Sequence, residues 1–335
     1  MQEDRAHGPH PYAGTMISVL AGGVGAARFL RGLAQVVPHG DITAIVNTGD
    51  DTRMHGLSIS PDIDTVTYTL SDAIDPERGW GLRNETWTAM ESLDRFAGVR
   101  PLSSRAGERW FNLGDNDLAT HFYRTSRLAE GASLADVTDE IRRAFALDMR
   151  IVPMSNDPVT TMVHLAADDS VVSFQEYFVK LRHDVAVKRI ELRGIESARF
   201  IDPSLLTDAD IVVIAPSNPI VSIGPIRALA GVDDMLSARR DSVVGISPIV
   251  AGTALKGPAD RMLVELGFEA TVVGVARMYA PVCGTLVIDE QDAHLKSEVE
   301  SCGVRCVVTD TIMSKPGVGA SLARATIDAI STGGK

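Results

Sequence analysis

Four aspartates fall within fifteen residues: Asp50 and Asp51 close the run Asn47-Thr48-Gly49-Asp50-Asp51, and Asp62 and Asp64 lie in Ser60-Pro61-Asp62-Ile63-Asp64-Thr65. Hard carboxylate oxygens suit Mg²⁺, which takes few protein ligands and completes its shell with phosphate oxygens and water. Asp50, Asp51, Asp62 and Asp64 are therefore candidate Mg²⁺ ligands. Taken singly, each has a plainer reading: Asp64 suits a cap of the helix after it, and Asp50 and Asp51 suit a solvated turn. The density of acids beside a glycine loop is what favours a site.

That loop holds Gly22, Gly23 and Gly25, between an apolar run and a helical pattern. Backbone amides at such a junction reach a phosphate without a Cβ in the way. The spacing is GGxG, so the dinucleotide fingerprint GxGxxG is not met, and a bare tight turn is the competing reading. Arg28 offers a cation to the same phosphate. A second junction, Ala215 to Pro225, supplies Ser217, Asn218 and Ser222, although Pro216 and Pro219 also suit a purely rigid loop. A third, Ser247 to Gly252, leads to Lys256, which has the length to reach a phosphate. Asn84, Asp115 and Asp117 start amphipathic segments and read first as helix caps. Trp80 and Trp87 read as core or as aromatic ligand walls, and His121 as a structural histidine on a helical face.

The elements that must position these residues follow a βαβ pattern. Met16 to Leu20 is a strand-sized apolar run, Ala26 to Val37 repeats at helical spacing, and Asp41 to Val46 is a second strand. Helices are expected at 64–71, 85–96, 117–129 and 134–145, and a small antiparallel insertion from Arg150 to about Leu192. Buried strands return at 210–215, 242–246, 271–275 and 286–289. The expected fold is α/β, a Rossmann-like, doubly wound and mostly parallel sheet with a helix-rich segment and a β-rich insertion at about 130–200 of a single 16–330 domain.

Composition narrows the class. With 335 residues, 45% hydrophobic and 23% charged, the chain can bury a substantial core. A net charge of -12 repels nucleic acid, so anionic ligands must be met by local amides, basic side chains or metal. Cys283, Cys302 and Cys306 form neither a zinc pattern nor a disulfide framework. Residues 1–15 are polar and lack a signal-peptide core, so they read as a mobile extension. No apolar run nears the roughly twenty residues of a membrane span. A cytoplasmic homodimer with small-molecule substrates, and without nucleic acid or membrane partners, is expected.

Taken in order, LAGGVGAARFLRGL, IVNTGDD, SPDIDTVTYTLSDAIDPERGWG, NETW, LGDNDLATH, APSNPIVSIGPI and GISPIVAG resemble the 2-phospho-L-lactate transferase family (CofD type) of coenzyme F-420 biosynthesis. The resemblance runs from about Ile17 to Thr311. It implies transfer of a phospholactyl or phosphoenolpyruvyl group from a guanosine diphosphate-linked donor to the side-chain hydroxyl of the deazaflavin Fo, with release of GMP. It further implies that the glycine loop and the Asn218 and Ser247 loops hold the donor, while segments around Asp64, Asn84 and Asp115 to Asp117 face the deazaflavin. Catalytic roles then fall to Asp50, Asp51 and Asp64, one of which, if not committed to metal, would accept the alcohol proton. A nucleotide-sensing regulatory protein on the same scaffold is the alternative, for which the acidic cluster would be superfluous. Residue types and spacing alone reach only a phosphate-binding α/β enzyme.

Overall fold

The computed structural model describes residues 12–331, so most of the expected N-terminal extension, residues 1–11, lies outside the described residues. The first two strands, β1 (Ile17–Ala21) and β2 (Ile42–Val46), are apolar along almost their whole length and buried at every position. Such strands cannot face water on either side and must be sandwiched between helix layers. They pair in parallel, Ile17 opposite Ile42 through Ala21 opposite Val46. The helix between them, α1 (Val24–Leu33), buries Phe29, Leu30 and Leu33 completely. Each such side chain contributes about 1.5–3 kcal/mol relative to exposure.

A third strand, β3 (Arg150–Pro153), pairs with β2 from Thr43 opposite Arg150 to Val46 opposite Pro153. The antiparallel insertion was expected to begin at Arg150, but this run is too apolar for a half-exposed ribbon and completes the main sheet instead. The insertion proper has three strands, β4 (Thr160–Leu165), β5 (Val171–Ser173) and β6 (Val187–Arg193), ordered β5-β4-β6. The chain then crosses back to lay β7 (Ile211–Ile214) against the other side of β1, and β8 (Val243–Ile246), β9 (Thr285–Ile288) and β10 (Arg305–Val308) follow outward. All seven main strands are parallel, in the order β10-β9-β8-β7-β1-β2-β3. Alternate residues feed two cores: Leu20, Ile45 and Ile214 face one helix layer, and Val19, Val46 and Val213 the other. The α/β, doubly wound expectation therefore holds.

Two local expectations fail. The run 271–275 was read as a strand, yet it opens a helix (Val272–Tyr279) whose first turn is capped by the Thr271 hydroxyl, accepting from the Gly274 amide at 3.1 Å. The helix is buried around most of its circumference, so its β-branched run carries no helical period. The helix expected over 85–96 shrinks to Thr88–Ser92 followed by a 3₁₀ turn, Leu93–Phe96.

The strand order reverses between β1 and β7. The crevice outside the carboxyl ends of the strands at such a reversal is where open α/β sheets bind ligands. The glycine loop follows β1, the Ser217 to Ser222 loop follows β7, and the first aspartate pair follows β2.

Candidate active site

The two loops at the reversal touch. The Gly22 amide donates to Ser217 Oγ at 3.2 Å, and a Cβ on Gly22 would lie 2.5 Å from Ser222 Cβ. A Cβ on Gly25 would overlap the Pro216 carbonyl oxygen. None of Gly22, Gly23 or Gly25 has positive φ, so glycine is required here for close approach rather than for turn conformation. Protein fills the space a side chain would need at Gly22 and Gly25, and the Gly22 amide is already engaged by Ser217. Gly23 differs: a Cβ there would stand 2.6 Å from Asp62 Oδ1, and it starts α1 with no side-chain cap on the helix amides.

Asn47, fully buried, ties three elements together. Its Nδ2 donates to Asp62 Oδ2 at 3.0 Å and to the Val221 carbonyl at 3.3 Å, and its Oδ1 accepts from the Gly49 amide at 2.9 Å. Asp62 sits at the start of α2 (Pro61–Leu70) and is thereby aimed at the crevice. Ser60 Oγ donates to Asp51 Oδ2 at 2.7 Å. Asp50 Oδ1, Asp51 Oδ1 and the hydroxyls of Thr48 and Thr161 are buried without partners. Burial, reinforced by the charges of Asp62 and Asp51, holds the Asp50 carboxyl well above the usual carboxylate range. Burial also raises Asp51 to about 8, against the pull of its Ser60 bond, and Asp62 to about 6.

Asp64 stands apart. Both its oxygens accept from the guanidinium of Arg124, on α4 (Asp117–Ala129), with Nη1 to Oδ2 at 3.1 Å. Arg124 is 1% exposed. The four-aspartate Mg²⁺ set is thus not assembled: Asp64 is held by a buried cation, and among the described residues no three His, Cys, Asp or Glu side chains form a ready cation cage. Asp50, Asp51 and Asp62 still fit Mg²⁺. Two of them bury an oxygen with no partner, and this ion needs only one or two carboxylates when substrate phosphates fill its shell.

The remaining candidates divide. Ser222 and Ser217 line the glycine loop. Asn218 Oδ1 accepts from the Ile220 amide at 2.9 Å, and Ser247 Oγ bonds both backbone groups of Ile249, so both side chains hold their own turns. Lys256 is exposed and sits beside Gly79, and burial together with the nearby Arg28 lowers its pKa. Neither Arg28 nor Lys256 has a carboxylate partner among the described residues. Asp115 caps the Thr88–Ser92 helix through the amides of Thr88 and Ala89, at 2.9 and 3.0 Å. Asp117 accepts from Tyr68 Oη at 2.5 Å and faces His121. Asn84 lies at positive φ in the exposed turn before it, and its carbonyl accepts weakly from Asn116. Glu85, which no local pattern singles out, caps α4 through the amides of Asn116 and Asp117. Asn47 and Arg124 were missed as well. Asn47 lies inside the acidic motif and was legible as the strand-end amide beside it, whereas nothing local announces Arg124.

The family model described as 2-phospho-L-lactate transferase CofD matches residues 17–323. The chain is 41% identical over 317 residues to a phosphoenolpyruvate transferase of Streptomyces griseus subsp. griseus, covering 93% of this chain and 97% of that one. It is 38% identical over 331 residues to the protein of that name from Mycobacterium tuberculosis, covering 93% and 98%. Among solved structures it is similar to a UPF0052 family protein of Bacillus halodurans, with a TM-score of 0.57, 15% identity and coverage of 93% and 99%. That likeness carries the fold. The relatives and the family model together carry the class, and the chain belongs to the 2-phospho-L-lactate transferase CofD family, a family of transferases.

Proposed function

We propose that the enzyme moves a phospholactyl or phosphoenolpyruvyl group from a guanosine diphosphate-linked donor to the side-chain hydroxyl of Fo, releasing GMP. The observation that carries this reading is the pair of buried, unpartnered carboxylate oxygens on Asp50 and Asp51 at the sheet's reversal point. A buried carboxyl oxygen without a partner is costly, and a cation that displaces the carboxyl proton would satisfy it. The names of the relatives favour phosphoenolpyruvate as the three-carbon acid of the donor.

In the step itself, the acceptor oxygen forms a bond to the phosphorus bearing the three-carbon acid as the bond from that phosphorus to the GMP oxygen breaks. Asp50 and Asp62, aimed at the crevice by Asn47 and by β2, would hold Mg²⁺. When bound, Mg²⁺ supplies charge neutralisation at the diphosphate. Asp51, oriented through Oδ2 by Ser60, would accept the hydroxyl proton on Oδ1 once ionised beside the bound cation. Arg28 and Lys256 offset the donor's remaining charge. Positioning and electrostatics are the main contributions in phosphoryl chemistry of this kind.

The test is a mass-spectrometric assay with Fo, Mg²⁺ and donors carrying phosphoenolpyruvate, phospholactate or phosphoglycerate. Product is expected with at least one donor, and Asp51→Asn should lower turnover by about 10²–10⁴-fold. GDP binding with no product from any donor would instead favour a nucleotide-sensing protein.

A further inference from the structure

Asp62 and Asp64 lie two residues apart on α2, and side chains so spaced leave a helix in nearly opposite directions. Asp62 faces Gly23 and Asn47, while Asp64 faces α4. There Arg124 takes both Asp64 oxygens, and its Nη1 also lies 3.2 Å from His121 Nδ1 and 3.5 Å from the Ser58 carbonyl. The next residue of α4 ties down the same stretch, since Thr125 Oγ1 accepts from the Ser58 amide at 2.8 Å. His121 faces Asp117, which accepts from Tyr68 Oη, so a continuous buried polar chain runs from α2 to α4 and back. On the reading of Asp50, Asp51 and Asp62 as the acidic site, we propose that Arg124 is the counter-ion that withdraws Asp64 from the cation set, so that Asp62 alone of that helix's two aspartates is left to meet a cation.

A purely structural ion pair and a cation ligand make different demands. A buried guanidinium bonded to both carboxylate oxygens occupies the bidentate face through which an ion would be chelated. Its positive charge also repels a second cation on that carboxylate. If Asp64 is only Arg124's counter-ion, losing Asp64 harms cation binding through the bared guanidinium, and removing both charges restores it. A buried pair exchanged for neutral groups is often tolerated, whereas one partner left alone is not.

The experiment measures Mn²⁺ affinity by electron paramagnetic resonance in the full chain with saturating GDP. Asp62→Asn is expected to weaken Mn²⁺ binding by at least about tenfold, and Asp64→Asn by a comparable factor through the uncompensated Arg124. Asp64→Asn combined with Arg124→Met should return within about threefold of the wild type, less than a direct ligand loss costs. If the Met variant does not fold by circular dichroism, Asp64→Asn with Arg124→Gln, which keeps an amide pair in place of the ion pair, should show the same recovery. A double variant as weak as Asp64→Asn alone makes Asp64 a ligand and overturns the proposal. If Mn²⁺ does not bind the wild type at all, the acidic site itself falls, and this division of it with it.

Discussion

At the scale of single residues, the acidic cluster should make the cation-free protein sensitive to pH in an unusual direction. Carboxylates paired in a fold ordinarily have lowered pKa values and lose their contribution on acidification. Asp51 is raised from 3.8 to about 8 and Asp62 to about 6. Between the unfolded and folded values the folded chain holds protons that the unfolded chain has released, so stability contributed by these groups falls as pH rises from about 4 to about 8. Thermal melts of protein treated with EDTA should show this decline, and Asp51→Asn should flatten its upper part, from about 6 to about 8. Mg²⁺ should displace the same protons, so calorimetry in buffers of different ionisation enthalpy should detect proton release on binding near neutral pH. A decline equally steep in Asp51→Asn would assign the protons elsewhere. The cluster was legible because Asp50, Asp51 and Asp62 lie in short local motifs. The separate fate of Asp64 was not, because it depends on Arg124, sixty residues away along the chain.

At the scale of elements, glycines were legible as a loop, but what they approach was not. Their neighbours come from the β7 loop, nearly two hundred residues on, and only the strand order brings the two together. The structure separates two glycines that look alike in sequence. A Cβ on Gly22 meets the Ser222 side chain, whereas one on Gly25 meets the Pro216 backbone carbonyl. Gly22→Ala should lower stability by about 1–3 kcal/mol, as overpacking does, and Ser222→Gly should recover part of that loss. Gly25→Ala should cost at least as much and gain nothing from Ser222→Gly, since a main-chain carbonyl cannot be trimmed. Denaturant melts of the four variants and the wild type check this, and equal rescue of both glycine changes would refute the assignment. The same dependence on distant partners explains the misread run 271–275. Its β-branched residues are apolar because the helix is buried, and burial, not period, is what the short run displays.

At the scale of the whole molecule, a charge of -12 opposes any diphosphate that approaches it. Local features must reverse that field at the crevice, and Arg28 and Lys256, which lie near each other, have no carboxylate partner among the described residues. Against them stand Asp50, Asp51 and Asp62, so as these ionise the crevice becomes a poor anion site until a divalent ion neutralises them. Donor affinity is therefore expected to depend on Mg²⁺. Calorimetric titration of GDP, which cannot react, should show weaker binding in EDTA than with Mg²⁺, and Asp62→Asn should shrink that difference by removing one acid from the cluster. Arg28→Gln should weaken GDP binding in both conditions, since its charge acts with or without the ion. Guanine and ribose contacts would persist, so binding in EDTA should weaken rather than vanish. Raised salt should erode the Arg28 contribution more than the Mg²⁺ contribution, because a half-buried side-chain cation is screened more than an ion bound directly among carboxylates. An affinity indifferent to EDTA, in an enzyme that still needs metal for turnover, would move the ion away from the donor diphosphate and onto the acceptor, and the acidic cluster would then face the deazaflavin hydroxyl alone.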